Sequence, residues 1–250
     1  MKTTKELLIS MMQQYEIGKK PLSRLLGWGD TTVMRYLDGV EPNREFAKRI
    51  EELAEDPWQY ARVLEQSKGN LTDTAYRKTK RAVYREIFCD RSTEAMQYVV
   101  ALAEGDIAPY RVMTVLYYAQ VCSLVLRGLP LFEEEADFSP GQPMEYPRLY
   151  QLMKQYGVKV FNPDITSFSN EEQEYLVQSY QVLNGYSPNA LKALHVREKR
   201  RIRRHLKGEA DQLTMEALKS QYEGGFRKSG VETPADLKRY LADALKRSEN

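Results

Sequence analysis

The chain has 250 residues, of which 42% are hydrophobic, 29% charged and 10% aromatic, with 14 Gly and 11 Pro. That composition can bury a core and excludes disorder as the main state, and the length suits one large domain or two small ones. Basic and acidic residues number 37 and 35 and leave a formal charge of +2, so any contact with nucleic acid must come from a local patch.

Two cysteines, Cys89 and Cys122, cannot build a disulfide framework. With only His195 and His205 beside them, the ligands of a structural zinc site are missing, so neither metal nor cofactor is expected. The first ten residues, MKTTKELLIS, lack the apolar core of a signal peptide. The most apolar stretch, residues 112–126, is interrupted by Thr114, Gln120 and Ser123 and falls short of the roughly 20 residues a membrane span needs. It reads as a buried helix. The expectation is a cytoplasmic protein with no membrane partner.

The pattern along the chain is helical almost throughout, which predicts an all-α fold. Residues 4–15 carry Leu7, Leu8, Met11, Met12 and Tyr15 on one stripe, and Gly18 ends that helix. A short helix follows with Pro21 in its first turn and Leu22, Leu25 and Leu26 inward. After Gly27, Asp30 is placed to cap a third helix seated by Val33, Tyr36 and Leu37, which Gly39 and Pro42 stop. Asn43 caps a fourth over residues 44–54, ended by Asp56-Pro57. The polar run at 66–70 suggests a domain boundary.

Further helices are predicted over 71–88, with the basic cluster Arg77, Lys78, Lys80 and Arg81, then over 93–103 and 109–127. Residues 128–147 are rich in Pro and Gly, carry Glu133, Glu134 and Glu135, and read as a long loop with room for a short β-hairpin. Helices follow over 146–156, 170–183, 187–206 and 212–222. Gly224-Gly225 then reads as a hinge before a terminal helix over 234–246. The implied organisation is a helix bundle over 1–66, a larger helical domain over 71–222 and a helical tail over 226–250.

The spacing PLSRLLGWGDTTVMRYLDGVEPN meets the requirements of a helix-turn-helix. Leu22, Leu25 and Leu26 are the lock, Ser23 the small residue where two helices cross, and Gly27 the turn. Thr31, Thr32 and Arg35 are left pointing outward, and such groups suit base edges and phosphates in the major groove. Asp30 reads as a cap rather than a base contact, since a carboxylate near phosphate is repelled. Trp28 reads as an interhelix wedge. The segment resembles the Xre/Cro-like helix-turn-helix family, and is most similar to the version in antitoxins with an N-terminal zinc ribbon. Leu25-Leu26-Gly27-Trp28-Gly29 and Arg35-Tyr36-Leu37-Asp38-Gly39 carry the resemblance. The candidate DNA contacts are Lys19, Lys20, Thr31, Thr32 and Arg35, and by the resemblance Lys19 sits where that family has a phosphate- or base-contacting Gln. The ribbon itself is not among these residues.

Residues 113–183 hold no nucleophile paired with a base, no phosphate-binding glycine loop and no histidine cluster, so no enzyme activity is expected. Leu116-Tyr117-Tyr118-Ala119-Gln120, then Gly128, Pro130-Leu131-Phe132-Glu133 and Tyr150 through Tyr156-Gly157, resemble the Panacea (SocA-like) antitoxin domain over about residues 72–210. Two segments depart from that family's pattern. Residues 136–143 replace an Ala-Trp-x-x-Gly-Pro-Val stretch, and Leu191 to His195 shorten a Leu-x-x-x-Thr-His stretch. Tyr117, Tyr118 and Gln120 read as core or as partner contacts. Phe132, Phe138 and Tyr146 in the loop are candidate aromatic anchors for a partner.

Residues 192–207 carry eight basic side chains, including Arg197, Arg200, Arg201 and Arg204, against the single acid Glu198. This stripe suits phosphate or an acidic partner, and His195 and His205 read as bystanders. The two resemblances imply an antitoxin that neutralises a cognate toxin protein and autoregulates its operon by binding operator DNA; the small footprint of one helix-turn-helix adds the expectation of a homodimer. A phage or prophage transcription regulator with no toxin partner, and a proteolysis adaptor, are the alternatives.

Overall fold

A computed structural model of the protein describes residues 3–87, 89–139, 141–142, 144–156, 167–206 and 212–246. Among the described residues the chain is all-α: thirteen α-helices and two strands of two residues each. It divides into two compact units, residues 1–89 and 90–250.

The first unit begins with α1 (Thr4–Gln14), α2 (Lys19–Leu25), α3 (Thr32–Leu37) and α4 (Arg44–Glu55). Thr3 and Glu6 close a capping box at the start of α1, and Asn43 accepts the Phe46 amide at the start of α4, satisfying N–H groups that a helix leaves unpaired. Helix α5 (Pro57–Gln66) follows directly, where no helix is predicted from the sequence. Its signal is Asp56-Pro57, read only as a terminator. Asp56 Oδ1 accepts the amides of Trp58 and Gln59, and Pro57 takes the first helical position, so the same pair ends one helix and starts the next.

Helix α6 (Asp73–Ile87) packs on α5. The unit boundary therefore lies at residues 89–90, and the polar run at 66–70 is an internal turn. Buried Tyr76, Ala82, Val83 and Ile87 give α6 an inward face, and Gln14 Nε2 donates to Glu86 from α1.

The second unit is built around α8 (Pro109–Cys122), in which every residue from Val112 to Cys122 is buried. A helix apolar on all sides must be wrapped on all sides. Its neighbours are α7 (Arg91–Leu102), α9 (Pro147–Tyr156), α10 (Asn170–Asn184), α11 (Pro188–Leu206) and α12 (Met215–Lys228). Residues Ser123–Arg127 continue α8 as one π-helical turn, closed by Gly128 at φ 81°, where Ser123 Oγ donates to Leu129 O at 2.7 Å. Glu172, in the capping box of α10, also pairs with Arg91 (3.0 Å) and Arg127 (3.2 Å), joining three elements.

Within the loop after α8 the Asp137 amide donates to Glu145 O at 2.8 Å, but among the described residues its strand pairs with a distant segment. Strand β1 (Ala136–Asp137) pairs antiparallel with β2 (Gln212–Leu213), Ala136 opposite Leu213 and Asp137 opposite Gln212. This long-range pairing holds the loop against the segment that leads into α12.

The expected hinge at Gly224-Gly225 is absent, because α12 runs through both glycines. Nor is the segment beyond residue 226 a separate tail. Phe226, Leu237 and Leu241 are buried, and α13 (Leu237–Lys246) packs on α10, α11 and α12. Gly225 marks the crossing of α12 and α13: a Cβ there would lie 2.8 Å from Cε2 of the buried Tyr240 ring, whereas one at Gly224 would meet nothing within 4 Å. Glycine is in the helix at 225 to admit the ring.

The two glycines should thus respond oppositely. Gly224→Ala should stabilise the protein by up to about 1 kcal/mol, the ordinary helix-propensity gain. Gly225→Ala should destabilise it by about 1–3 kcal/mol through overpacking against Tyr240. Thermal or urea unfolding of the two variants measures the difference, and equal stabilisation by both would refute the close approach.

Candidate nucleic-acid interface and partner surface

In the first unit α2 and α3 are joined by a turn at Gly27, whose φ of 74° lies in the left-handed region that glycine adopts without strain. Leu22 and Leu25 of α2, Leu26 at its C-terminal cap, and Val33, Tyr36 and Leu37 of α3 are all buried. Ser23 is fully buried where the helices cross, its Oγ accepting the Val33 amide at 3.3 Å and its carbonyl accepting the Trp28 amide at 2.8 Å. No larger side chain would leave α2 and α3 this close. Trp28 stacks on Phe46 at 4.5 Å and meets Tyr36 edge-on at 6.0 Å, which wedges the turn against α4.

Asp30 does not cap α3. Thr31 occupies the cap position without a side-chain bond, and Asp30 instead receives two hydrogen bonds from Arg24, each 2.9 Å. The Arg24 guanidinium holds the Asp30 carboxyl below the usual carboxylate range, the hydrogen bond being the main cause. This pair neutralises the one carboxylate on the turn. Lys19, Lys20, Thr31 and Arg35 are exposed and Thr32 half-exposed, and the Arg35 guanidinium has no partner among the described residues. Met34 (38% exposed) and Val40 (44%) add apolar surface beside them.

In the second unit the expected aromatic anchors are core. Phe132, Phe138 and Tyr146 are at most 2% exposed. Phe132 meets Tyr146 edge-on at 5.4 Å, and Phe138 meets Tyr117 at 6.0 Å. Their loop is folded inward by Gln120, whose side-chain amide donates to Phe132 O and accepts from Leu131 N, both at 2.7 Å. Proximity to Pro and Gly suggested exposure; one buried glutamine reverses it.

The motif tyrosines are buried as well. Tyr117 and Tyr222 share a hydrogen bond of 2.7 Å, Tyr222 donates to Glu198 Oε2 at 2.8 Å, and Tyr240 reaches Glu198 Oε1 at 3.4 Å. Burial pushes the phenols of Tyr117, Tyr118 and Tyr222 well above the ordinary range, so they remain neutral.

Glu198 divides the basic stripe into two faces. Arg201 sits 2.7 Å from its carboxylate and 4.4 Å above the Tyr222 ring, and donates to Gln221 O at 2.6 Å. Arg203 donates twice to Phe138 O, Lys199 donates to Gln142 O, and Arg197 is half-buried. Arg197 and Arg201 thus leave the set of surface candidates, since their guanidinium groups are drawn into the fold. Lys192, Arg200 and Arg204 remain exposed at four- and eight-residue intervals with Val196 between them, 45% exposed. Lys207 and the His205 side chain lie outside the described residues.

His195 is no bystander. Its Nδ1 lies 2.6 Å from Oε1 of Glu145, which is only 3% exposed. Burial pulls the imidazole down, but the hydrogen bond and charge of Glu145 push it up and prevail over the nearby Lys199 ammonium, leaving it above the usual histidine value. No group of three or more potential metal ligands occurs among the described residues, and none of the described helices is long and apolar enough to cross a membrane. No family model, curated protein or solved structure matches this chain.

A histidine raised on folding contributes stability that is fully present below its unfolded value, near 6.5, and is lost as pH rises through the higher folded value. His195→Gln should therefore cost about 2 kcal/mol at pH 5, the range of a hydrogen bond to a charged group, and distinctly less at pH 9. Urea unfolding of variant and parent across that range checks the sign; a cost that grows with pH would contradict it.

Proposed function

We propose that the chain is an antitoxin: its first unit binds operator DNA through an Xre/Cro-like helix-turn-helix, and its second, a Panacea-like domain, binds and neutralises a toxin protein. The DNA half of this reading is carried by the crossing of α2 and α3 at Ser23. That crossing leaves Lys19, Lys20, Thr31 and Arg35, the last unpartnered among the described residues, on the outside of the unit while the carboxylate of Asp30 is neutralised. Short hydroxyls and one guanidinium on a helix six residues long fit a major groove. So small a footprint calls for two copies on half-sites about one helical turn apart.

Arg35→Ala should weaken binding to DNA from the protein's own promoter by about 1–3 kcal/mol, and Thr31→Ala and Thr32→Ala by less. A gel-shift titration measures all three. Unchanged affinity in every variant would remove base reading from α3.

The antitoxin half rests on the sequence resemblance, with the exposed row Lys192, Arg200 and Arg204 as the surface offered to an acidic toxin, or to one whose active site takes phosphate. One observation favours the plain-regulator alternative: Tyr117, Tyr118, Gln120 and Phe132, which carry the resemblance, are interior and thus speak for a fold rather than a partner surface. Co-expression of the full chain with a toxin encoded beside it separates the two. Rescue of growth that is lost in Arg200→Glu/Arg204→Glu, with promoter repression retained, supports neutralisation at this row. Repression without any rescue leaves the regulator.

A further inference from the structure

Helix α6 carries a second basic surface within the first unit that the helix-turn-helix does not use. An open recess of about 310 Å³ is lined by Glu16, Thr74, Arg77, Lys78, Arg81 and Arg85. All four cations are exposed, in a protein whose net charge is only +2. Lys78 and Arg85 are held toward Glu16, at 3.8 Å and 3.1 Å. Arg77 and Arg81 have no side-chain partner among the described residues, so two guanidinium groups one helical turn apart stand free.

Position ties this surface to the proposed DNA contacts. Glu16 lies in the turn after α1, three residues before Lys19 at the start of α2, so the two α-carbons are at most about 11 Å apart. Through Glu16 the recess is joined to the short segment that leads into α2 and the paired lysines Lys19 and Lys20. Along α6, Arg77, Arg81 and Arg85 span about 12 Å at 1.5 Å per residue. Each strand of a duplex presents a phosphate every 3.4 Å of axis, so this row covers about three steps of one backbone.

We propose that this recess on α6 binds the phosphate backbone of double-stranded DNA, extending the footprint of the helix-turn-helix with contacts independent of sequence. The chemistry is that of phosphate oxygens meeting a row of guanidinium groups. A free polyphosphate offers the same oxygens, but the lining consists of side chains on a helix with no glycine loop closing over them. An open track suits a continuous backbone better than a small anion. Glu16 moderates the site by neutralising part of its charge. The proposal deepens the DNA-binding reading and is tested apart from it, because backbone contacts persist on any duplex whereas base reading by Arg35 needs the correct one.

The experiment is a fluorescence-anisotropy titration of the full chain with two short duplexes, one from its own upstream region and one scrambled, from about 50 to 200 mM salt. Arg77→Ala/Arg81→Ala removes exposed, unpartnered side chains and should fold as the parent does, which circular dichroism checks. Binding to both duplexes should fall by the same factor, roughly ten- to a hundredfold near 0.1 M salt, and the slope of log K against log salt should flatten by about two. Glu16→Gln should tighten both. Failure of the parent to prefer its own duplex, with Arg35→Ala without effect, would remove base reading but leave the recess to be judged on the scrambled duplex. The proposal is overturned if the double variant binds scrambled duplex as tightly and as salt-dependently as the parent, or if the parent binds neither duplex at 50 mM salt. It is also overturned if calorimetry finds tripolyphosphate in the recess and DNA does not displace it.

Discussion

Burying α8 on every side constrains the whole second unit. Its backbone is satisfied within the helix, but Tyr117 and Gln120 bring polar side-chain atoms into the interior, and leaving such atoms unpaired costs about 1–3 kcal/mol each. Gln120 meets this by clasping Leu131 and Phe132, which pulls the following loop over the helix and sends Phe132, Phe138 and Tyr146 inward. Tyr117 meets it through Tyr222 and Glu198. A buried carboxylate then demands a cation, and Arg201 supplies it.

That chain of demands explains why the most basic stretch of the sequence is only partly a surface. Helix α11 must present Glu198 inward beneath Tyr222 and Tyr240, so the arginines on that side are spent on the interior and on the carbonyls of the loop. The cations four residues apart on the other side, Arg200 and Arg204, are left to solvent. Charge density read along a helix counts both faces together.

In the first unit the controlling feature is smaller: a serine where α2 and α3 cross. Ser23 both admits the close approach and accepts the Val33 amide, so the angle between two short helices is set by a residue that no bulkier side chain could replace. Glycine at 27 then reverses the chain, and the Arg24–Asp30 pair straps the turn from outside. The elements beyond, α5 and α6, complete the unit and bring a row of arginines to Glu16, in the turn between α1 and α2.

The all-α class, the seats of most helices and the α2–α3 turn were legible in the sequence, because they follow from local rules: apolar residues at helical spacing, caps such as Asn43, and the glycine at 27. Of the candidate site, Thr31 and Arg35 were readable as exposed positions for the same reason, whereas Lys19 was singled out by the family resemblance alone. What local rules could not supply is pairing between residues far apart in the chain. Proline and glycine around Phe132 and Phe138 announce a loop, but only the Gln120 amide, about a dozen residues before Phe132, turns that loop inward. Gly224-Gly225 looks like a break until the Tyr240 ring fills the space that the second glycine leaves. The polar run at 66–70 looks like a linker until α6 packs on α5. Periodicity and capping are properties of a segment, and so the sequence by itself determined the elements; burial and charge compensation belong to pairs of segments, and the tertiary structure alone decided which faces remain open to a partner.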